Sequence, residues 1–374
     1  MKLRVPHYFD SFACTASECK DNCCLGGWQI EVDEETVEYY KTVKGPFGNM
    51  LRDSLECYDG ISCIKLKNGI CPFLDSDNLC RIYKEAGAEH MGYVCTQFPR
   101  FSEYYGNVKE SGIGLACEEA ARLIFEDNDS FHYVEKEIDE EEYVDSEYDE
   151  LFGSALFTIR EQIYDLLDNK DIQFRDKMCI LINSLWDIQQ LINSNNYSGI
   201  AQYTLIECME KHYDFSEETV KEIWYAFLEM ESINDMWTEY SEKVFEELHP
   251  EEKDNTAGYL QKTEQFNSCQ FEFCGYDKLV KYFIHRYFMK TVYDHNIFGK
   301  IRFIAACLVI LKDMDVYKYI VNDCFSIKDR LDNIHMFSRE VEYSEDNLEI
   351  LTEEFMFGAA FERDNLIAVI KAVF

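Results

Sequence analysis

Ten of the sixteen cysteines fall within the first 117 of 374 residues. Eight stand in patterned groups. Cys14, Cys19, Cys23 and Cys24 form one run, followed by Cys71-Pro72-Phe73-Leu74, Cys80-Arg81-Ile82-Tyr83, Cys95-Thr96-Gln97-Phe98-Pro99-Arg100 and Cys117. Thiolates at short, irregular intervals are the ligands of iron–sulfur clusters and of structural zinc. Eight sulfurs suffice for two four-iron clusters, for one cluster with spare thiols, or for two zinc sites. The gaps do not form the paired C-x2-C knuckles of zinc ribbons, and uneven gaps suit a centre held from several loops. An iron–sulfur cluster of the 4Fe-4S type is therefore the expected centre, with zinc as the alternative. A C-x3-C-x2-C radical motif begun at Cys19 would need its third sulfur at position 26, which is Gly26. In an extended chain the adjacent Cys23 and Cys24 point to opposite faces, so one is expected to ligate while the other packs or serves a second site. Cys57, Cys63, Cys179, Cys208, Cys269, Cys274, Cys307 and Cys324 read as small apolar core residues or surface thiols.

Other chemistry is sparse. The chain has no H-E-x-x-H, no G-x-S-x-G and no phosphate loop. Gly112-x-Gly114 lacks the third glycine of a dinucleotide fingerprint. His7, His90 and His285 read as structural residues.

Three segments must position these groups. Residues 1–125 hold four of the five prolines and eleven of the seventeen glycines, which predicts loops, turns and short helices wrapped around a metal that supplies folding energy. Residues 126–150 carry thirteen carboxylates and one lysine and read as an exposed linker or loop, or as a solvated helix face. Residues 151–374 contain one proline, Pro250, and read as successive helices. Val220, Ile223, Trp224, Phe227 and Leu228 recur at helical spacing behind Ser216, a candidate N-cap. Phe303 to Leu311 is apolar all round, as in a buried helix. The expected class is mainly α: an irregular cysteine-rich N-terminal region followed by a helical domain.

Bulk properties narrow the function. With 47% apolar residues the chain has core enough to fold without disulfide staples. Met1 to Phe12 carries charges and no apolar stretch of a secretory signal. The longest apolar run is too short to span a bilayer. A cytoplasmic protein with free thiols and no membrane partner is expected. A net charge of −36 repels nucleic acid and would steer a basic or lysine-presenting partner.

The cysteine run followed by Gly26-Gly27-Trp28 resembles the zinc- or iron-chelating region written CxxxCxxCC, with both gaps one residue longer here. The whole chain is similar to the flagellin lysine-N-methylase family. The likeness extends to Cys117-Glu118-Glu119-Ala120-Ala121-Arg122-Leu123 and returns in Ser338-Arg339-Glu340-Val341-Glu342-Tyr343-Ser344-Glu345-Asp346-Asn347-Leu348, where Tyr343 occupies a position expected to be histidine. The resemblance implies methyl transfer from S-adenosylmethionine to lysine side chains of flagellin, with an iron–sulfur cluster on the cysteines. The residue patterns also fit a non-enzymatic metal-stabilised interaction module and an iron–sulfur redox protein.

Lysine methylation needs a neutral amine, and a free lysine has a pKa of about 10.4. The site must lower that value or supply a base. A carboxylate-rich pocket would raise it, so the acidity is expected to act at long range while aromatics wall the reacting pocket. Tyr282, Phe283, Tyr287, Phe288 and Tyr293 gather around Arg286, and aromatic faces attract a sulfonium or an ammonium. Tyr282, Arg286 and Tyr287 are the candidates for binding the cofactor or the lysine, with ordinary helix core as the competing reading. Arg339, Glu340 and Glu342 read equally as an ion-pair network or as catalytic groups, and no catalytic residue is assigned.

Overall fold

The computed structural model describes residues 1–58, 60–140, 147–205, 211–250 and 255–374. Cys208 and part of the acidic run lie outside these residues. The chain opens with strand β1 (Lys2–Pro6), then three short turns of 3-10 helix that carry Phe9–Ser11, Ala16–Glu18 and Cys23–Leu25. Helix α1 (Glu34–Thr42) starts where the Asp33 side chain accepts the Thr36 N–H. Helix α2 (Gly45–Asp53) has Pro46 in its first turn, where a missing N–H costs nothing. A hairpin of β2 (Leu55–Tyr58) and β3 (Ile61–Ile64), then α3 (Arg81–Ala86) and α4 (Tyr93–Gln97), complete this part. Its core is small: Ile30, Val32, Tyr40, Leu51, Ile64, Cys71, Phe73 and Ile82, with Cys24, Cys80 and Cys95 packed against it.

The next strands rejoin the beginning of the chain. β4 (Arg100–Tyr105) and β5 (Val108–Ile113) form a hairpin, turned at Gly106 with φ +61, a conformation glycine adopts without steric cost. β5 pairs in parallel with β1. After helix α5 (Glu118–Glu126), strand β6 (Tyr133–Glu137) pairs antiparallel on the other side of β1. The sheet order is β4-β5-β1-β6. Strands were not expected in the N-terminal segment, and β6 lies inside the acidic run that reads as linker. Cross-strand charge explains both: Arg4 sits opposite Glu110 and Glu135 and pairs with each, and Lys2 reaches Glu135 at 3.0 Å. Opposite charges facing across a ladder support pairing that apolar alternation alone does not announce.

The remaining described residues are mainly helical, as the periodicity predicts: α6 (Glu150–Asp168), α7 (Phe174–Asn193), α8 (Tyr197–Ala201), α9 (Glu217–Leu228), α10 (Asp235–Leu248), α11 (Thr256–Ser268), α12 (Tyr276–Tyr287), α13 (Thr291–Asp294), α14 (Ile297–Asn322), α15 (Ile327–Glu342), α16 (Glu345–Phe357) and α17 (Arg363–Val373). Ser216 caps α9 through the Glu218 N–H. A reciprocal Ser326–Asp329 capping box starts α15. α14 is the axle of the bundle: Ile304 through Leu311 are all fully buried, and each large apolar side chain there contributes about 1.5–3 kcal/mol of burial. The mainly α class holds.

The bundle core does not stop at residue 125. Tyr8, Phe12, Tyr105, Ile113, Leu115, Ile124 and Phe125 belong to the same apolar cluster as the helices. One glycine pair explains how sheet and bundle approach so closely. A Cβ on Gly112 would lie 2.4 Å from the Phe101 ring and 2.8 Å from His285, and one on Gly114 would lie 2.0 Å from the Tyr343 hydroxyl. These glycines serve packing between layers.

Candidate functional site

The eight patterned thiols come together in one continuous region. Cys71 belongs to the small core, and Cys24, Cys80 and Cys95 pack against it. Cys23 and Cys24 lie in a 3-10 turn capped by Asn22, whose side chain accepts the Cys24 N–H. The local chain is a turn, not the extended conformation assumed for the pair, and the Cys24 thiol neighbours both Cys23 and Cys71. The Cys71 N–H donates to the Cys24 carbonyl at 2.9 Å. Cys80 and Cys95 feel the charges of Cys23 and Cys71. A second group borders it. Cys117 at the start of α5 is electrostatically coupled to Cys14 and Cys23, and the Cys19 thiol donates to Glu118 at 3.7 Å. Burial pushes the Cys95 thiol up to about 12 and Cys117 up to about 11. Hydrogen bonding from Cys24 holds Cys23 and Cys71 below the ordinary thiol value. 

Of the other thiols, Cys63, Cys179, Cys274 and Cys307 are buried and Cys57, Cys269 and Cys324 are exposed, matching the core-or-surface reading. Among the described residues the one trio of Cys, His or carboxylate ligand atoms within 4.8 Å of one another is His7, Asp127 and Asp129. No three of the described thiols thus lie mutually within 4.8 Å, although Cys24 is within hydrogen-bonding reach of both Cys23 and Cys71.

The aromatic group around Arg286 is closed upon itself. The buried Glu342 carboxylate accepts from Tyr287 at 2.8 Å, Tyr282 at 3.0 Å and Ser338 at 2.6 Å. Arg286 donates to the Tyr282 hydroxyl at 2.7 Å and lies 3.3 Å from Glu342. Phe283 and Phe288 are fully buried, and the Tyr293 hydroxyl reaches the Tyr104 carbonyl. Arg286 also lies over the Tyr343 ring at 5.1 Å. Tyr343 in turn packs on Trp28 and Phe98, so the residue in the expected histidine position joins the thiol region to the bundle. His285 is structural: Tyr133 and the Ser111 carbonyl hold its two nitrogens, and burial lowers its pKa to about 4.

An open space lies next to this junction. A cavity of about 280 Å³ is lined from the N-terminal loop by Lys20 and Asp21, from α10 and its cap by Asn234 and Trp237, and from α15 by His335, Arg339 and Glu340. Tyr282, Arg286 and Tyr287 are not among its walls. Arg339 Nη2 donates to Asp21 at 2.5 Å, and His335 Nε2 lies 2.8 Å from the same oxygen. Burial would raise the Asp21 carboxyl, but His335 and Arg339 outweigh it and hold it below the usual range. The Arg339 guanidinium also covers the Trp28 ring at 5.4 Å and bears electrostatically on Cys23. Thiols, Arg339 and cavity thus form one connected unit. Glu340, 1% exposed, accepts the Ile233 N–H at 2.7 Å. Burial pushes its carboxyl up to about 7, against that N–H and Arg339, which pull it down. A larger hollow of about 430 Å³ among Pro46, Met50 and Lys65 contains none of the thiols.

Sequence reasoning singled out Arg339 and Glu340 but missed Asp21, Asn234, Trp237 and His335. No spacing connects these positions; only the fold brings them together.

Residues 160–369 match the family described as the FliB lysine N-methylase C-terminal domain. That span exceeds half of the chain and includes all of α15, and the chain belongs to this family. Over 145 residues the chain is 34% identical to the lysine-N-methylase of Salmonella typhimurium, covering 36% of this chain and 35% of that protein. The lysine-N-methylase of Salmonella choleraesuis gives the same figures. The flagellar biosynthetic protein FliU of Salmonella muenchen is 33% identical over 143 residues, 35% of this chain and 81% of that protein. The match thus spans about a third of the length of the curated lysine-N-methylases. No solved structure matches the chain.

Proposed function

We propose that this chain methylates lysine side chains of flagellin with S-adenosylmethionine as donor, and that its patterned cysteines hold an iron–sulfur cluster. The observation that carries the reading is the family span itself: it includes the helix whose polar residues face a cavity directly beside the thiols. The names of the lysine-N-methylases supply the reaction class, and that of the flagellar relative points to the substrate.

The donor set fits a cluster. Cys23, Cys24, Cys71, Cys80 and Cys95 are soft sulfur ligands without competing histidine, the set that selects iron–sulfur centres or zinc. Cys14, Cys19 and Cys117 are a second supply of thiolates. A bound cluster would give the small core folding energy and supply a Lewis-acidic, redox-active iron. The protein's own residues do the remaining work. Asp21, His335 and Arg339 tie the N-terminal loop to α15 and keep the cavity next to the thiols. Reduced thiols require a reducing compartment, so the cytoplasm is the proposed location. Among the described residues no helix is long and apolar enough to cross a membrane.

The test is incubation of anaerobically purified protein with flagellin and methyl-labelled S-adenosylmethionine. Label is expected on flagellin lysines. Label that stays entirely with the donor, in a preparation carrying its full complement of iron, refutes the reading.

A further inference from the structure

The cavity beside α15 supports a more specific statement, which rests on the methyltransferase reading above. At about 280 Å³ it falls just below the roughly 300–1,000 Å³ of pockets that enclose a whole small molecule. One extended side chain fits such a space. Trp237 and Met236 give the walls apolar surface suited to an alkyl stem.

Most charges around the cavity are already engaged. Asp21 receives Arg339 and His335. Lys328 is paired with Asp332 at 2.6 Å. Lys318 lies over the Tyr240 ring at 5.2 Å. Glu118 accepts the backbone N–H of Lys20 and the Cys19 thiol. Glu340 differs. It is buried, held by the backbone N–H groups of Ile233 and Asn234, and feels the Arg339 charge without forming an ion pair with any described residue.

We propose that this cavity receives the side chain of the acceptor lysine and that Glu340 is the base that takes its ammonium proton. The proton moves from lysine Nζ to the Glu340 carboxylate. The freed lone pair forms the N–C bond to the methyl carbon of the sulfonium donor. The C–S bond breaks, and its electron pair returns to sulfur, which departs as a neutral thioether. Glu340 then gives its proton to solvent. The surroundings assist. Lys20 from the N-terminal loop, Lys318 from α14 and Arg339 from α15 share the cavity, and nearby cations disfavour an ammonium. The acids Asp21, Glu118 and Asp332 are held by the partners named above. The raised affinity of Glu340 for a proton, from its burial, matches a base working near neutral pH.

The experiment uses the full chain with its iron, purified flagellin and labelled S-adenosylmethionine, assayed from about pH 6 to about pH 10. It is paired with an infrared titration of carboxyl groups in protein labelled at glutamate. Glu340→Gln is expected to lose about 100-fold or more in turnover near pH 7. It should recover as pH approaches the lysine's own value of about 10.4. Donor binding by equilibrium dialysis should be unchanged, and Glu340→Asp should keep part of the rate. A carboxyl band titrating near 7 should be present in the wild type and absent from the Gln variant. Wild-type turnover in Glu340→Gln at pH 7, or an equal loss at every pH with donor binding intact, overturns the proposal. A wild-type protein that methylates but lacks the band overturns the assignment to Glu340 alone. One that methylates no lysine overturns the parent reading and this proposal with it.

Discussion

Arg160 is fully buried and reaches both oxygens of Glu110, at 2.6 and 2.7 Å. Burial would raise the Glu110 carboxyl, but the Arg160 guanidinium outweighs it and holds the group below the ordinary carboxylate range. Arg160→Met leaves that carboxylate buried and short of its main partner, and should cost about 3–5 kcal/mol in denaturant unfolding. The double change Glu110→Gln with Arg160→Met should recover much of the loss; a double variant as unstable as the two losses summed would refute the pairing argument. The sign of the pH dependence follows from the direction of each shift. Glu110, with its native value lowered, contributes stability that is present above about 4.3 and is lost as pH falls through that lower value. Glu340 acts oppositely. Its unfolded value is about 4.3 and its native value about 7, so stability falls as pH rises between the two. Glu340→Gln should flatten that slope in thermal melts, and an unchanged slope would show that burial does not load this carboxyl.

At the scale of elements, α15 and the end of β5 are fitted to each other through Gly114 and Tyr343. Gly114→Ala would push a methyl group into the Tyr343 hydroxyl and should destabilise by about 1–3 kcal/mol. Tyr343→Phe in the same chain should relieve part of this, because the hydroxyl is the first atom met. Equal losses with and without the Phe change would mean the two do not touch. This contact also marks where sequence reading stops. The buried stretch of α14 and the Ser216 cap of α9 were legible, because helix signals are local. The sheet was not, because β1 finds its partners more than a hundred residues away and its strands mix charge with apolar residues. The thiols were legible by type and spacing, but their arrangement was not: Cys23–Leu25 forms a turn where an extended chain was assumed. Glu340 could be named in a motif, yet only the fold shows it buried against the Ile233 N–H.

The described residues form two apolar cores of unequal size. The smaller one has eight buried apolar residues, too few to be stable by burial alone without a staple. Removing the proposed centre with a chelator under reducing conditions should therefore melt residues 30–95 before the bundle. Calorimetry should show two steps and hydrogen exchange should assign the first to the small core; a single transition unaffected by the chelator would contradict this. The net charge of −36 adds a second expectation: association with a lysine-presenting partner should weaken as salt rises, since exposed charges are screened beyond about 8–10 Å at ordinary ionic strength.

The position of β1 between β5 and β6 sets an order of events at the ribosome. Lys2 must wait for Val108 and Glu137 before either edge of its strand is paired. At about 5–20 residues per second of translation, roughly 5 to 20 seconds separate the first strand from its first partner. Cys14 to Cys24 emerge during that interval ahead of Cys71, Cys80 and Cys95. Nascent chains in a cell under oxidative stress are thus exposed to mispairing of these sulfurs before any fold shields them, and the yield of competent protein is decided while it is still being made.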